Sequence, residues 1–418
     1  MAMIRPETEM KDSGVQWIGD IPKSWGKAKF KYFYINTNAG EVIDKNFWNK
    51  GKELLYTCQK TPMFSDFKGF PDAKRTNEND LLLTRNATPY IFVPEPKSIY
   101  SNVVQRVNIN LQNDRRYLKY ALMCGVDAEK VNGNTIPSWN MQVWNNIFIP
   151  LAELSEQQVI ADYLDETCSQ IDEIIAEAKA SIDEYKELKQ SVIFEAVTKG
   201  LDKNVEMKDS GVEWIGNTNK NAVIKKIKYT SNISRGLFNY RPRNAEFLYG
   251  GIHPFIQTSD VAKANKYVTD YKQTLSDEGT KISKFFPKGT LTMTIAANVG
   301  DVSILGFDAY FPDSVLGITP FNKYSSEYLY YVFSSMKSEF VRVSISNTQL
   351  NLNVERVKEL FVPIFEDSVV QKKIVEYLDE KCSTIDSLIS EKESLINDLE
   401  VYKKSLIYEV VTGKRRVV

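Results

Sequence analysis

The chain has 418 residues, 43% of them hydrophobic and 26% charged, with a formal net charge of −1, a composition that suits a globular protein of two to four domains. No apolar run approaches the ~20 residues of a membrane helix, and the opening MAMIRPETEM lacks the apolar core of a signal peptide. Four scattered cysteines without C-x-x-C spacing suit a reducing cytoplasm rather than a zinc site, and a single histidine, His253, argues against a His-rich metal centre or a Ser-His-Asp nucleophile.

The first element is a leader over 1–19 containing MKDSGVQWIG (10–19), which returns as MKDSGVEWIG at 207–216 with nine of ten residues identical. A block over 20–150 follows, with 18 Lys+Arg against 12 Asp+Glu, a net of +6. It reads as mixed and strand-rich: strands are predicted over 80–84, 90–93 and 102–107 and a short helix over 115–124. Its candidate polyanion contacts are Lys74 and Arg75, Arg85 and Asn86, and the polar loop 132–140 with Asn134 and Thr135. Pro71-Asp72 followed by Glu95-Pro96-Lys97 imitates a nuclease pattern, but the prolines are poor strand chemistry and the second half of the chain has no counterpart.

Residues 151–200 hold 4 basic against 12 acidic residues, a net of −8, and contain no Gly or Pro between 151 and 199. Leu164, Ile171, Ala178, Tyr185 and Val192 fall seven apart, and Cys168, Ile175, Ile182, Lys189 and Ala196 lie four further on, an a/d seam over four to five heptads. Ser155 and Gln158 read as a capping box, and Gly200 as the stop. A linker over 201–216 carries the second decapeptide.

A second block over 217–362 again has 18 basic against 12 acidic residues. A strand is predicted over 289–295 and a helix over 325–338, and His253-Pro254-Phe255 reads as a turn entering a strand. Its densest candidate is Arg235-Gly236-Leu237-Phe238-Asn239-Tyr240-Arg241-Pro242-Arg243: Arg matches guanine edges and phosphates, Asn matches adenine. The loop with Asn347, Thr348 and Gln349 aligns with that of Asn134 and Thr135, through GNTIPSWNMQVWNNIFIP (133–150) and SNTQLNLNVERVKELFVP (346–363). The last element, 363–418, repeats the long helix: YLDETCSQID (163–172) recurs as YLDEKCSTID (377–386), with Leu378, Ile385, Ile389, Ile396 and Leu399 on its seam.

The chain is therefore one unit written twice. We expect an α+β fold of two mixed globular domains, separated by two long antiparallel coiled-coil helices and pseudo-twofold from an internal duplication. The first decapeptide should dock at the end of the second helix, anchored by Trp17 as its copy is by Trp214, with Val15, Ile18, Val212 and Ile215 alongside. Neither G-x-x-x-x-G-K-[ST], nor G-x-G-x-x-G, nor an Asn/Asp-Pro-Pro-aromatic motif occurs, so no catalytic or metal site is expected in this chain.

These features together, the duplicated SGVxWIG leader, two dissimilar basic blocks and two long helices with YLDExCSxID, resemble the specificity subunit of type I restriction-modification enzymes. The resemblance implies that 20–150 and 217–362 are target-recognition domains reading the two halves of a bipartite, asymmetric double-stranded DNA target. It implies that 151–200 and 363–418 are conserved spacers docking two modification (methyltransferase) subunits and restriction subunits, with S-adenosylmethionine and ATP on those partners. A stiff helix pair would then act as a ruler between readers. The alternative is a non-catalytic coiled-coil scaffold whose end domains bind proteins, consistent with the pI near 6.2; a hidden nuclease is a further rival.

Overall fold

The computed structural model describes residues 3–86, 88–128, 138–296, 298–346 and 350–417. It divides into two compact units, one of Met1–Lys179 with Glu393–Val418, the other of Ala180–Lys392. Each long helix, Leu154–Lys199 and Ser368–Val411, contributes part of its length to each unit.

In the first unit an antiparallel sheet runs in the order Tyr34–Ala39, Val104–Ile109, Asp80–Thr84, Ile91–Phe92. All five residues of Asp80–Thr84 are buried. Leu81 and Leu83 enter the main core, while Leu82 enters a second cluster with Leu55 and Tyr100. A strand covered on both faces needs apolar side chains on both, hence a continuous Leu-Leu-Leu run rather than alternation. The helix Arg115–Ala128 lays Tyr117, Leu118, Ala121 and Leu122 on the main core. The second cluster belongs to a smaller sheet in which Trp48–Tyr56 pairs antiparallel with Met63–Ser65 and parallel with Ile99–Tyr100.

The second unit repeats this plan by itself. Its main sheet runs Ser231–Arg235, Val315–Pro320, Leu291–Thr294, Val302–Leu305, Tyr267–Val268. Its smaller sheet is built on Tyr249–Phe255, which pairs with Gln273–Leu275 antiparallel and Ala309–Phe311 parallel. Both central strands of the smaller sheets carry a bulge at the same place, between Trp48 and Glu53 in one and between Tyr249 and His253 in the other. The helix expected over 325–338 forms as two pieces, Ser326–Ser334 and Lys337–Arg342.

The decapeptides fold alike. In the first, Ser13 N donates to Gly19 O and Gly14 N to the Asp12 carboxylate, and Val15 N donates to Ser13 Oγ. In the second, Ser210, Gly216, Gly211, Asp209 and Val212 make the same set. Gly14, Gly19, Gly211 and Gly216 all have φ between 61° and 68°, which requires glycine in both loops. Ile18 and Ile215 are the buried plugs, at 0% and 2% exposure. The tryptophans expected as anchors are half-buried and pack against the two cores: Trp17 lies over Gly125, and Trp214 donates its indole N–H to Phe361 O at 3.1 Å. In the first unit Ile18 O accepts from Tyr408 Oη (3.2 Å) and Lys414 Nζ (2.6 Å), which seats the leader on the end of the second helix.

Within each unit the two helix segments pack antiparallel. Leu164, Ile171, Ile175, Ile182, Leu378 and Ile385 are buried and Tyr185, Ile389, Ile396 and Leu399 half-buried. Three seam positions hold lysine, Lys189, Lys392 and Lys403, and two of these pair across the helices. Lys403 meets Asp172 at 2.6 Å in the first unit, and Lys189 meets Asp386 at 2.7 Å in the second. Both pairs join the same two positions of the repeat, so the YLDExCSxID motif ends on the partner of the opposite helix's lysine. Its Asp165 and Asp379 instead accept from Tyr120 (2.7 Å) and Tyr331 (2.5 Å) and hold each reader to its helix.

The capping box expected at Ser155 and Gln158 does not form. The helix begins at Leu154, so Ser155 lies inside its first turn. Buried Gln157 does the tethering instead: its amide donates to Ala152 O (2.8 Å) and accepts from Asp114 N (2.9 Å). Gln371 makes the equivalent bond to Phe365 O at 2.8 Å. Gly200 (φ 74°) and Gly413 (φ 71°) terminate the helices in the left-handed conformation that glycine tolerates best.

Candidate nucleic-acid interface

Both units build the same loop framework beside the main sheet. In the first, Thr84 Oγ1 donates to Thr88 O and accepts from Tyr90 N, each at 2.8 Å, and Arg85 O accepts from Trp139 N at 2.7 Å. In the second, Thr294 Oγ1 bonds Asn298 O, and Ile295 O accepts from Leu352 N at 3.0 Å. Asn140 and Asn353 then cap the short helices Met141–Asn146 and Val354–Glu359, which gives the aligned asparagines a structural task. Arg85 is half-buried and bonds Asn102 O at 3.3 Å; Asn86 is exposed and bridges to Ser138. The structure thus brings Arg85 and Asn86 beside Ser138 and Trp139, a few residues along the chain from Asn134 and Thr135. Those two, with Asn347, Thr348 and Gln349, lie outside the described residues.

Lys74 and Arg75 are engaged within the protein. Lys74 pairs with Glu41 at 2.5 Å, and Arg75 pairs with Asp72 (3.0 Å) and Glu53 (3.2 Å) while donating to Lys97 O at 2.9 Å. Asp72 and Glu95 of the nuclease-like pattern line the same open groove as Lys97. Among the described residues no three His, Cys, Asp or Glu side chains come together to hold a metal.

The arginine-rich segment of the second unit stands on a fixed base. Gly236 donates to Val315 O (2.9 Å), as Gly40 donates to Val104 O (3.1 Å) in the first unit, so both segments leave the sheet at the same point. They then diverge. The first unit reaches its next helical turn at Lys45–Phe47 and the second at Glu246–Leu248, a path about five residues longer. The extra length carries Asn239, Tyr240, Arg241 and Arg243, all exposed, with Tyr240 edge-on to Phe247. Asp313 holds the base: its carbonyl accepts from Arg235 at 2.5 Å and its carboxylate pairs with Arg243 at 2.7 Å. Among the described residues Arg241 bonds the Phe238 and Tyr240 carbonyls and meets no carboxylate.

His253 sits within strand Tyr249–Phe255 rather than in a turn, 2.8 Å from Asp277 and edge-on to Tyr310. The sequence reading missed a second divergence. Six residues join the first two strands of the smaller sheet in the first unit (57–62), but seventeen join them in the second (256–272). The longer connection surrounds a cavity of about 540 Å³ with Lys263, Lys266, Tyr267, Tyr271 and Lys272. The signal was present as lysines interleaved with tyrosines, but only strand pairing reveals it as an insertion.

Among the described residues no helix is long and apolar enough to cross a membrane. The chain matches the family model of the type I restriction modification DNA specificity domain twice, over residues 18–184 and 235–398. The MjaVIII type I restriction enzyme specificity subunit of Methanocaldococcus jannaschii is 24% identical over 362 residues, 82% of this chain and 80% of that protein. The MjaIX specificity subunit of the same organism is 28% identical over 191 residues, 44% and 43% of the two chains. A solved chain from work on complex assembly and conformational transition of the type I R-M system has the same fold. Its TM-score is 0.70 at 14% identity, covering 94% of this chain and 99% of that one.

Proposed function

This chain belongs to the type I restriction-modification DNA specificity family, and from that premise we propose that each of its units reads one half of a bipartite, asymmetric duplex. The observation that carries this is one scaffold bearing two different surfaces. Four strands of the main sheet, three of the smaller sheet, the bulges and the capping asparagines agree between units, whereas the segments after Gly40 and Gly236 and the 57–62 and 256–272 connections do not. A reader of two unlike half-sites needs that combination, because base contacts must differ while the backbone-positioning frame stays the same.

In the second unit Arg241, Asn239 and Tyr240 approach base edges, and Arg235 and Arg243 present the segment through Asp313. In the first, Arg85 and Asn86 do so, while Lys74 and Arg75 shape the neighbouring groove. Asn134, Thr135, Asn347, Thr348 and Gln349 supply further DNA contacts. The chain itself catalyses nothing: it docks two modification subunits, where S-adenosylmethionine would bind, and restriction subunits, where ATP would bind.

Profiling host DNA methylation with wild-type and Arg241→Ala chains tests the reading. The variant relaxes one half of the methylated motif, by about 1–3 kcal/mol of discrimination at the affected base pair, and leaves the other half unchanged. An unaltered motif, or equal loss at both halves, would refute the assignment. Binding of the isolated chain to duplex DNA should also weaken steeply with salt, as phosphate contacts demand; a flat salt dependence would favour a protein-binding scaffold.

A further inference from the structure

Between strands Trp48–Tyr56 and Met63–Ser65 the first unit makes a six-residue turn, of which Gln59, Lys60, Thr61 and Pro62 are exposed. Its base is fixed to the sheet. The hydroxyl of buried Thr57 accepts from Gln59 N at 3.2 Å. Cys58 donates its thiol to Val103 O at 3.6 Å, the same carbonyl that accepts from Arg85 N at 2.9 Å. Burial pushes the Cys58 thiol up, and hydrogen bonds from the Asn86 and Arg85 amides partly offset that. The turn therefore stands directly against Arg85 and Asn86, the two residues assigned above to base edges in this unit. Neither Gln59 nor Lys60 has its side chain engaged among the described residues. Lys74 and Arg75, by contrast, are held by Glu41, Asp72 and Glu53.

The second unit uses the same position for its own fold. Leu55 pairs with Ile99 in one smaller sheet as Phe255 pairs with Tyr310 in the other, so Gln59 corresponds to Ser259. That serine lies half-buried inside the helix Thr258–Lys263. Gln257, at the start of the helix, donates its side-chain amide to Gln273 and its backbone N–H to the Asp260 carboxylate at 2.9 Å. The exposed Asn239 and Arg241 of this unit stand instead on the longer segment after Gly236. One scaffold thus presents free polar side chains from two different places in its two copies. A glutamine amide sets a donor beside an acceptor, the pattern that matches N7 and N6 of adenine in the major groove. A neighbouring ammonium matches a phosphate, which positions without specifying.

We propose that the 57–62 turn is a base-reading element of the first unit, with Gln59 on an adenine edge and Lys60 on an adjacent phosphate. This rests on the half-site reading proposed above and adds a residue that determines it. The test profiles host DNA methylation with the wild-type chain and with Gln59→Ala, Gln59→Arg, Lys60→Ala, Arg85→Ala and Arg241→Ala. Binding of each full-length chain to duplexes with single base-pair changes is measured by competition, beside thermal unfolding. Gln59→Ala relaxes one A·T pair about tenfold, in the half that Arg85→Ala also alters, and leaves intact the half altered by Arg241→Ala. Gln59→Arg moves the preference at that pair towards guanine, a change that a merely supporting turn does not produce. Lys60→Ala weakens every duplex alike and lowers the salt slope by about one. Melting is unchanged in the Gln59 and Lys60 variants, whose side chains are exposed. A motif unaltered by both Gln59 variants, while the two arginine variants act on separate halves, overturns the inference and keeps half-site reading. Equal weakening of every duplex by the Gln59 variants, without base preference, also overturns it. If neither arginine variant alters the motif, half-site reading itself fails and the inference with it.

Discussion

Gly40 and Gly236 show how a single position can fix where a reading segment begins. Neither needs a left-handed backbone; each is glycine because a Cβ would run into the carbonyl oxygens of the neighbouring strand, Tyr100 and Ser101 in one case and Pro312 in the other. Gly211 is the opposite kind, with φ 68° and open space around the added carbon. Alanine at Gly236 must push two strands apart and should cost about 2–3 kcal/mol or more. At Gly211 the penalty is conformational only, about 1 kcal/mol. Urea unfolding of both variants checks the order, and a larger loss at Gly211 would contradict it. The aligned residues divide in the same way: Asn140 and Asn353 are caps, and Ile18 and Ile215 are plugs. Single letters of the repeat thus identified shared scaffold, and only the structure separated scaffold from surface.

The long helices were the most legible elements, because a heptad seam is a local pattern and its burial follows from period alone. Lysines 189 and 403 stand in that seam, and each meets an aspartate of the facing segment. The two pairs should differ in strength. Lys189 and Asp386 are 20% and 28% exposed, whereas Asp172 is 62% exposed beside Lys403. Double-mutant cycles with Ala should give a coupling of about 1 kcal/mol for the first pair and about 0.5 kcal/mol or less for the second; the reverse order would show that burial does not set their worth. The sheets were less legible. Strand Asp80–Thr84 was readable from its apolar run, but its neighbour Val104–Ile109 comes from about 20 residues after it, and the strand beyond that, Tyr34–Ala39, from about 40 residues before it. No local pattern records such pairings. The 256–272 insertion and the pairing of Lys74 and Arg75 with Glu41, Asp72 and Glu53 were hidden for the same reason. The missed cap at Ser155 has a different cause: the tether at Gln157 needs Asp114, a residue 43 positions away.

For the whole molecule, sequence halves and compact units are different divisions. The core of the first unit, with Leu164, Cys168 and Ile171, is completed by Leu406, Ile407, Val410 and Val411 from the other end of the chain. That of the second takes Ile193, Ala196 and Val197 from the first helix. A cut in the exposed stretch 201–204 therefore breaks no core contact. We expect the nicked chain to elute as one species on gel filtration and to keep its helical signal. Residues 1–206 made alone should bind a hydrophobic dye or associate with themselves. Separation of the nicked halves under native conditions would contradict this interlock.

The same interlock sets an order of events during synthesis. Residues 393–418 leave the ribosome after the whole of the second unit, so the first unit waits for the second to be made before its core can close. At ~5–20 residues per second that wait is on the order of 10–50 s. Throughout it, the apolar stripe of the first helix from Leu164 to Ile175 lacks its cover. A nascent chain cannot acquire a finished first reader early: its capacity to recognise DNA arrives all at once, with the last helix.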